Sequence, residues 1–223
     1  MDLIPQILSG VMVVGGAGTF VYYSVGQSNG TSISSHIKAN HRTLISDPSK
    51  WQEKEALYKK LDEKSEEMIS GVENRDSTKT KVWMKIRNWC EKTKNKVFVN
   101  YWDKTYQSFS QWCLEEINVQ KKLELEGLED GSSKLTELLK DYEESGSRFI
   151  TGTGDGEGGK KKVTNNDLKD WCSKNKSITF KHEMDSTYLN VKKFCYLPKT
   201  GSAKSKDNSK AASEGSPSTA KRN

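Results

Sequence analysis

Apolar side chains are scarce in this chain: they account for 33% of its 223 residues, whereas charged side chains account for 30%. A chain of this length has room for one or two domains, and so poor a composition favours small cores over one large core. Small domains with little to bury are often stabilised by covalent links. Four cysteines are present, so their pairing is central to the fold.

Histidine is also rare, and the three present, His36, His41 and His182, lack the spacing typical of metal ligands. Cys172 and His182 could form a nucleophile pair, but the first copy of the internal repeat described below has Asn100 at the position equivalent to His182. We therefore predict that the protein is not an enzyme, binds no metal or cofactor and uses no small-molecule substrate.

Segment 151–162 is rich in glycine and superficially fits two phosphate-binding patterns. Three of its glycines are spaced as in G-x-G-x-x-G, and Lys160 follows the last of them. A working phosphate loop follows a buried strand and carries Ser or Thr after the lysine, but here Lys161 occupies that position. We predict a flexible insert that binds no nucleotide.

The chain has one long apolar run. Residues 3–26 carry no charge, and the strongly apolar part, residues 7–25, is about as long as a helix that crosses a bilayer. A cleavable signal normally has a basic start and a shorter apolar core, whereas Asp2 is the sole charged side chain before this run. We predict an uncleaved single-pass transmembrane anchor over residues 1–26; cleavage after Gly18 is the alternative.

Residues 27–46 are predicted to be a tether, because their first part is rich in Ser, Gly, Asn and Thr. Two rules disagree about which side of the membrane holds the body of the protein, the residues that follow the anchor. Lys38 and Arg42, which follow the anchor, favour the cytoplasm under the positive-inside rule, whereas regularly spaced cysteines favour an oxidising compartment. Because the charge bias rests on two residues, we expect an extracytoplasmic body, with the cytoplasmic orientation left open.

The sequence contains one stretch twice. Residues 86–113 align without a gap on residues 168–195, at a constant offset of 82. The conserved spacing of apolar side chains and cysteines indicates a duplicated small helical module. Nine of the 28 paired positions are identical: Trp89/Trp171, Cys90/Cys172, Lys92/Lys174, Lys94/Lys176, Phe98/Phe180, Asp103/Asp185, Thr105/Thr187, Tyr106/Tyr188 and Cys113/Cys195.

We predict a mainly α protein with two tandem modules of about three helices each, module 1 over residues 47–125 and module 2 over residues 130–198. In module 1, Asp47 predicts the N-cap of the first helix, Pro48 follows at its first position, and apolar side chains continue to Met68. The second helix of module 1 is predicted from Val82 and the third from Asp103; in module 2 the predicted caps are Ser132 or Ser133, Asn166 and Asp185.

Each module contains two cysteines that are 23 positions apart. Pairing within modules gives the candidate structural disulfides Cys90–Cys113 and Cys172–Cys195. Four cysteines allow three connectivities, and the repeat favours this one. The alternative is that each cysteine is a small buried apolar side chain without a covalent partner.

Residues 199–223 are predicted to be a disordered basic tail, with six Lys or Arg and two Asp or Glu, a net charge of +4 out of the formal +6 of the chain. Such a tail could contact anionic lipid or nucleic acid. We expect no nucleic-acid binding, because the aromatic side chains next to lysines fall on the helical stripes that form the cores. A cytoplasm-facing protein that binds nucleic acid or anionic lipid through the tail is the alternative function.

The order of these features resembles the large paralogous families of uncharacterised membrane-anchored proteins of haemotropic mycoplasmas. The resemblance is carried by four features: the apolar Gly-rich N-terminus, W-x6-Y from Trp51 to Tyr58, W-C at Cys90 and the φ-C-x-x-P ending at Pro198. It covers most of residues 1–198 through spaced single residues. It implies a surface protein of a wall-less bacterium, with an antigenic or host-adhesion role and a host cell-surface protein as partner, and it supplies no catalytic residues.

Overall fold

The computed structural model describes residues 30–156 and 161–199, and this part of the chain is mainly helical. The predicted anchor, the first three residues of the predicted tether and all but the first residue of the predicted tail lie outside the described residues. No helix within 30–156 and 161–199 is both long and apolar enough to cross a bilayer. The helices of the described part are α1 Ile33–Ala39, α2 Pro48–Tyr58, α3 Val82–Thr93, α4 Lys104–Trp112, α5 Val119–Leu125, α6 Leu135–Glu144, α7 Asn165–Lys176 and α8 Ser186–Cys195.

Two hydrophobic cores organise these helices. The first takes its buried side chains from Ile33 through Leu114, and the second takes them from Val119 through Tyr196. We call the residues around the first core the first module and those around the second core the second module. Each module therefore holds four helices, α1–α4 and α5–α8, where the sequence predicted about three.

The additional helix of the first module lies in the predicted tether, which is therefore corrected over residues 30–46. Ser32 caps α1 by accepting a hydrogen bond from the Ser35 amide. Ile33 and Ile37, one turn apart, are 1% and 2% exposed and belong to the first core. The polar composition that indicated a tether supplies the cap and the exposed face of a short amphipathic helix.

Helix α5 is the counterpart of α1 in the second module. Asn118 caps it by accepting from the Lys121 amide, and Val119 and Leu123 are buried in the second core. The predicted end of module 1 at residue 125 is therefore wrong, because this helix packs with the second module. The boundary between the two cores lies between Leu114 and Val119.

The two modules repeat the same backbone contact between their first helix and the loop before their last helix. The Ile33 amide donates to the Lys96 carbonyl at 2.8 Å, and the Val119 amide donates to the Ile178 carbonyl at 2.9 Å. The loop positions differ by 82 (178 − 96), as in the repeat, but the helix positions differ by 86 (119 − 33). This change of offset hides the first helix from an ungapped alignment.

Helix α2 begins as predicted, with Asp47 accepting from the Ser49 amide and Pro48 at its first position. It ends at Tyr58, before the apolar positions that were predicted to continue to Met68. The Tyr58 hydroxyl accepts from the Ile69 amide at 2.9 Å and so fixes the loop after the helix. In the second module the Tyr142 hydroxyl accepts from the Ile150 amide at 3.0 Å in the same way.

The predicted caps Asp103 and Asp185 are confirmed, since they accept from the amides of Thr105 and Tyr188. The other two caps of the second module are corrected. Asp130, instead of Ser132 or Ser133, caps a short 3-10 helix, Gly131–Lys134, that leads into α6. Thr164, instead of Asn166, caps α7 through a capping box with Asp167.

Four short strands complete the described part of the chain. β1 Leu128–Asp130 pairs antiparallel with β4 Tyr196–Pro198, so that the end of the second module returns to its beginning. In the first module, the isolated antiparallel bridge between Leu44 and Leu114 likewise brings the end of the module back to the segment before α2. The Gly-rich segment is bounded by β2 Gly154–Asp155 and β3 Lys161–Lys162, which pair antiparallel, so its ends are ordered where the sequence predicted flexibility.

Candidate functional site

Each module is closed by one disulfide, with the local connectivity that the repeat predicted. Cys90–Cys113 joins the end of α3 to the end of α4, and Cys172–Cys195 joins the equivalent points of α7 and α8. The Cα atoms are 5.7 Å apart in both bonds. Because Cys172 is in a disulfide, its pairing with His182 as a nucleophile is excluded in this state of the protein.

The two modules meet where the loop between α7 and α8 packs on α4. The Ser110 hydroxyl donates to the Lys181 carbonyl at 2.7 Å, and the Lys181 ammonium contacts the Glu67 carboxylate at 2.6 Å. The Tyr106 hydroxyl donates to the Glu183 carboxylate at 2.9 Å. These three contacts run from the loop between α7 and α8 to α4 and to the loop after α2. They fix the orientation of the second module on the first.

Charged side chains are buried at this junction. Lys122 is 2% exposed and Glu183 is 8% exposed. The Lys122 ammonium lies 3.0 Å from the Glu183 carboxylate and 3.2 Å from the Glu126 carboxylate. A buried charge is tolerated only when it is well paired, so the Lys122 ammonium depends on its two carboxylate partners. We call Lys122, Glu183 and Glu126 the buried ion cluster; its outermost member, Glu126, has a side chain that is 22% exposed.

Arg42 lies at the edge of the buried ion cluster and is 6% exposed. Its guanidinium stacks over the Phe180 ring, 4.9 Å from the ring centroid. Burial lowers the pKa of Arg42, and the nearby charge of Glu183 opposes that effect. Arg42 thus contacts the second module through a cation–π interaction and through the electrostatic field of Glu183.

Three other titratable side chains at the junction, Tyr106, His36 and His182, have pKa values shifted in favour of their neutral forms. Burial, followed by the negative charge of Glu183, raises the pKa of Tyr106 far above the ordinary range, so the phenol remains a hydrogen-bond donor. Burial also lowers the pKa of His36 and of His182. The His36 ring stacks on Phe98 with the ring centroids 3.6 Å apart. These groups support packing and hydrogen bonding at the junction.

The second module has an equivalent of Tyr106 that is used differently. The Tyr188 hydroxyl donates to the Glu126 carboxylate at 2.6 Å, and the Lys192 ammonium binds the same carboxylate at 2.7 Å. Glu126 belongs to the second module itself. Tyr106 of the first module therefore binds a carboxylate of the second module, Glu183. Its equivalent, Tyr188, binds a carboxylate of its own module, Glu126.

The loop before α4 differs from its counterpart before α8. Val97, Val99 and Trp102 are 49%, 52% and 68% exposed, and we call residues 97–102 the apolar loop. The equivalent positions in the second module are Thr179, Lys181 and Met184, in the loop that docks on the first module. The Trp102 side chain therefore lies largely in solvent.

Two surface depressions occur in the first module. One has a volume of about 530 Å³ and is lined mainly by charged side chains between Lys59 and Arg75. The other has a volume of about 380 Å³ and lies between Trp89, Lys96 and Lys104. Across residues 30–156 and 161–199, no three His, Cys, Asp or Glu side chains are grouped to hold a metal ion.

The N-terminus of α7, which follows the Gly-rich segment, is already occupied. The amides of Thr153 and Thr164 both donate to the Asp167 carboxylate, at 3.0 and 2.9 Å. A phosphate loop would present these donors to a phosphate. Here the Asp167 side chain accepts from both amides.

The described part of the chain thus consists of two modules of four α-helices, each closed by one disulfide and joined through buried charges. Comparisons with protein-family models, with curated proteins and with solved structures found no match.

Proposed function

We propose that this protein is a non-catalytic interaction protein, held at a membrane by its N-terminal segment, with the two modules outside the cytoplasm. The observation that carries the proposal is the pair of local disulfides, Cys90–Cys113 and Cys172–Cys195, which use all four cysteines. Disulfides of this kind persist in oxidising compartments and stabilise small domains with modest cores.

The junction between the modules also supports a role in binding. The contacts of Ser110 and Tyr106 with the second-module loop hold the modules as one body. A fixed body presents its surface side chains in a constant arrangement, which lowers the entropic cost of binding a partner. The resemblance to surface proteins of haemotropic mycoplasmas makes a host cell-surface protein the proposed partner.

The first experiment is thiol labelling of intact cells with a membrane-impermeant maleimide, with and without prior reduction, followed by mass mapping of the four cysteines. We expect labelling only after reduction, at Cys90, Cys113, Cys172 and Cys195. Labelling that requires lysis but no reductant would place reduced modules in the cytoplasm. That result would overturn the proposal and favour the alternative, in which the basic tail binds nucleic acid or anionic lipid from the cytoplasmic side.

A further inference from the structure

We infer that the apolar loop, residues 97–102, rests on the lipid bilayer that holds the N-terminal segment, so that the first module lies against the membrane surface. This inference rests on the proposed membrane anchor and goes beyond it. The anchor alone would leave the modules free to take any orientation, whereas contact through the apolar loop fixes which face of the body points towards the membrane.

The chain reaches the first module directly beside the apolar loop. The Phe98 amide donates to the Thr31 carbonyl at 2.9 Å, and Ser32 forms a bridge with Val97. The predicted anchor ends at residue 26, five residues before Thr31. Five residues span at most about 18 Å, so Thr31, which is hydrogen-bonded to the start of the apolar loop, lies within that distance of the predicted end of the anchor.

The side chains of the apolar loop suit the interface between water and lipid. Phe98 points into the first core and is 4% exposed, while its neighbours Val97 and Val99 are about half exposed. Trp102, three residues further on, is the most exposed of the large apolar side chains in the described part of the chain. Tryptophan is enriched at the level of the lipid headgroups, where its ring contacts both phases.

The charges around the apolar loop complement an anionic surface. Lys92 and Lys96, just before the loop, are exposed. Lys104, just after it, is also exposed and contacts Glu66. The carboxylates closest along the chain are Glu91, which pairs with Lys94, and Asp103, which caps α4. Basic side chains close to a bilayer attract anionic headgroups.

The duplication provides an internal comparison. The loop of the second module that is equivalent to the apolar loop packs on the first module, with Thr179 and Lys181 in place of Val97 and Val99. The two loops share their backbone pairing but differ in their side chains, in line with one contacting protein and the other contacting lipid. Self-association through the apolar loop is the competing occupant and is an outcome of the test.

The test uses the full chain labelled with 5-fluorotryptophan and reconstituted in lipid nanodiscs that contain anionic lipid, with and without a gadolinium-chelating headgroup. The fluorine resonances of Trp102 and Trp171 are assigned with the variants Trp102→Phe and Trp171→Phe. Trp171 is the matched control, because it is a partly buried tryptophan of the second module. We expect the gadolinium lipid to raise the relaxation rate at Trp102 at least threefold more than at Trp171.

A double variant, Val97→Ser with Val99→Ser, is expected to reduce the enhancement at Trp102 by half or more. The control Ile178→Ser, which changes an exposed apolar side chain directly before the equivalent loop, is expected to leave it unchanged. Equal relaxation enhancement at Trp102 and Trp171 would overturn the inference. Protection of Trp102 from the gadolinium lipid that increases with protein concentration would also overturn it, because it would indicate self-association. Vesicle flotation is measured in parallel: a chain that floats with no selective enhancement contradicts the inference alone, and a chain that does not float contradicts the anchor as well.

Discussion

Tyr106 and Glu183 are 77 residues apart and are joined by a hydrogen bond of 2.9 Å in which the phenol donates to the carboxylate. Glu183 also pairs with Lys122, so one carboxylate receives a donor from each module. The bond crosses from the first module to the second and lies out of contact with water. It couples the stability of each module to the presence of the other.

Removal of this bond should be measurable. We expect Tyr106→Phe to lower the free energy of unfolding by about 2 kcal/mol, because the lost hydrogen bond has a charged acceptor in a buried site. Urea unfolding followed by tryptophan fluorescence measures the loss. Tyr101→Phe is the control, since the Tyr101 ring packs 5.6 Å from that of Tyr106 without sharing its bond to Glu183. Equal losses in the two variants would contradict the assignment.

Lys122 forms ion pairs with two carboxylates of the second module, and Glu183 is the more buried of the two. We expect Lys122→Met to lower the free energy of unfolding by about 3–5 kcal/mol, because the buried Glu183 carboxylate would lose this ion pair, whereas Glu126 would keep Lys192. Adding Glu183→Gln to this variant should restore part of the loss. The control is Lys121→Met, because Lys121 is exposed and lies 4.0 Å from Glu124; its effect should be below about 1 kcal/mol.

The two disulfides should contribute equally to stability. Each joins cysteines 23 positions apart, so constraint of the unfolded chain gives about 3.5 kcal/mol for either bond. We expect the double variants Cys90→Ala/Cys113→Ala and Cys172→Ala/Cys195→Ala to lose similar amounts in chemical denaturation. Losses that differ by more than about 2 kcal/mol would show that strain or residual structure, instead of loop closure, decides the effect.

Asp167 should give a distinct pH dependence. Hydrogen bonds from the backbone amides of Thr153 and Thr164 lower the pKa of Asp167 to about 2. Since the folded pKa lies below the unfolded value, the stabilisation is complete above about pH 4 and is lost as the pH falls towards about 2. Asp167→Asn should therefore be less stable than the natural chain at pH 5, and the difference should close near pH 2.

Two measurements test this pH dependence. Carboxyl-carbon NMR of Asp167 should titrate with a midpoint near pH 2, and Asp170→Asn, an exposed position on the same helix, supplies the charge-matched control in unfolding experiments. A stability difference between Asp167→Asn and the natural chain that persists unchanged to pH 2 would contradict the role given to the ionised carboxylate.

The sequence predicted the helices that carry long apolar stripes and missed the short ones. Helices α3, α4, α7 and α8 repeat tryptophan, phenylalanine or cysteine at helical steps, and two of their caps are aspartates. Helices α1 and α5 have seven residues each, and each buries two apolar side chains one turn apart, which is too few for a recognisable period. Their helical state depends on packing against the loop before the last helix of each module.

The junction between the modules could not be predicted from the sequence because its side chains are charged. Arg42, Lys122 and Glu183 come from three distant segments, and charged residues are ordinarily solvated. Only the folded arrangement brings them out of water. The cysteine pairs were predictable, in contrast, because their spacing recurs in both copies of the repeat.

The positions of the disulfides also decide how the chain responds to tension. When the chain is stretched between residues 30 and 199, force passes along the backbone of both modules. Each bond bypasses 23 residue steps, so together they withhold roughly 150 Å of contour at about 3.4 Å per residue. Extension is therefore confined to the segments outside the two bonds, while residues 90–113 and 172–195 stay short under load.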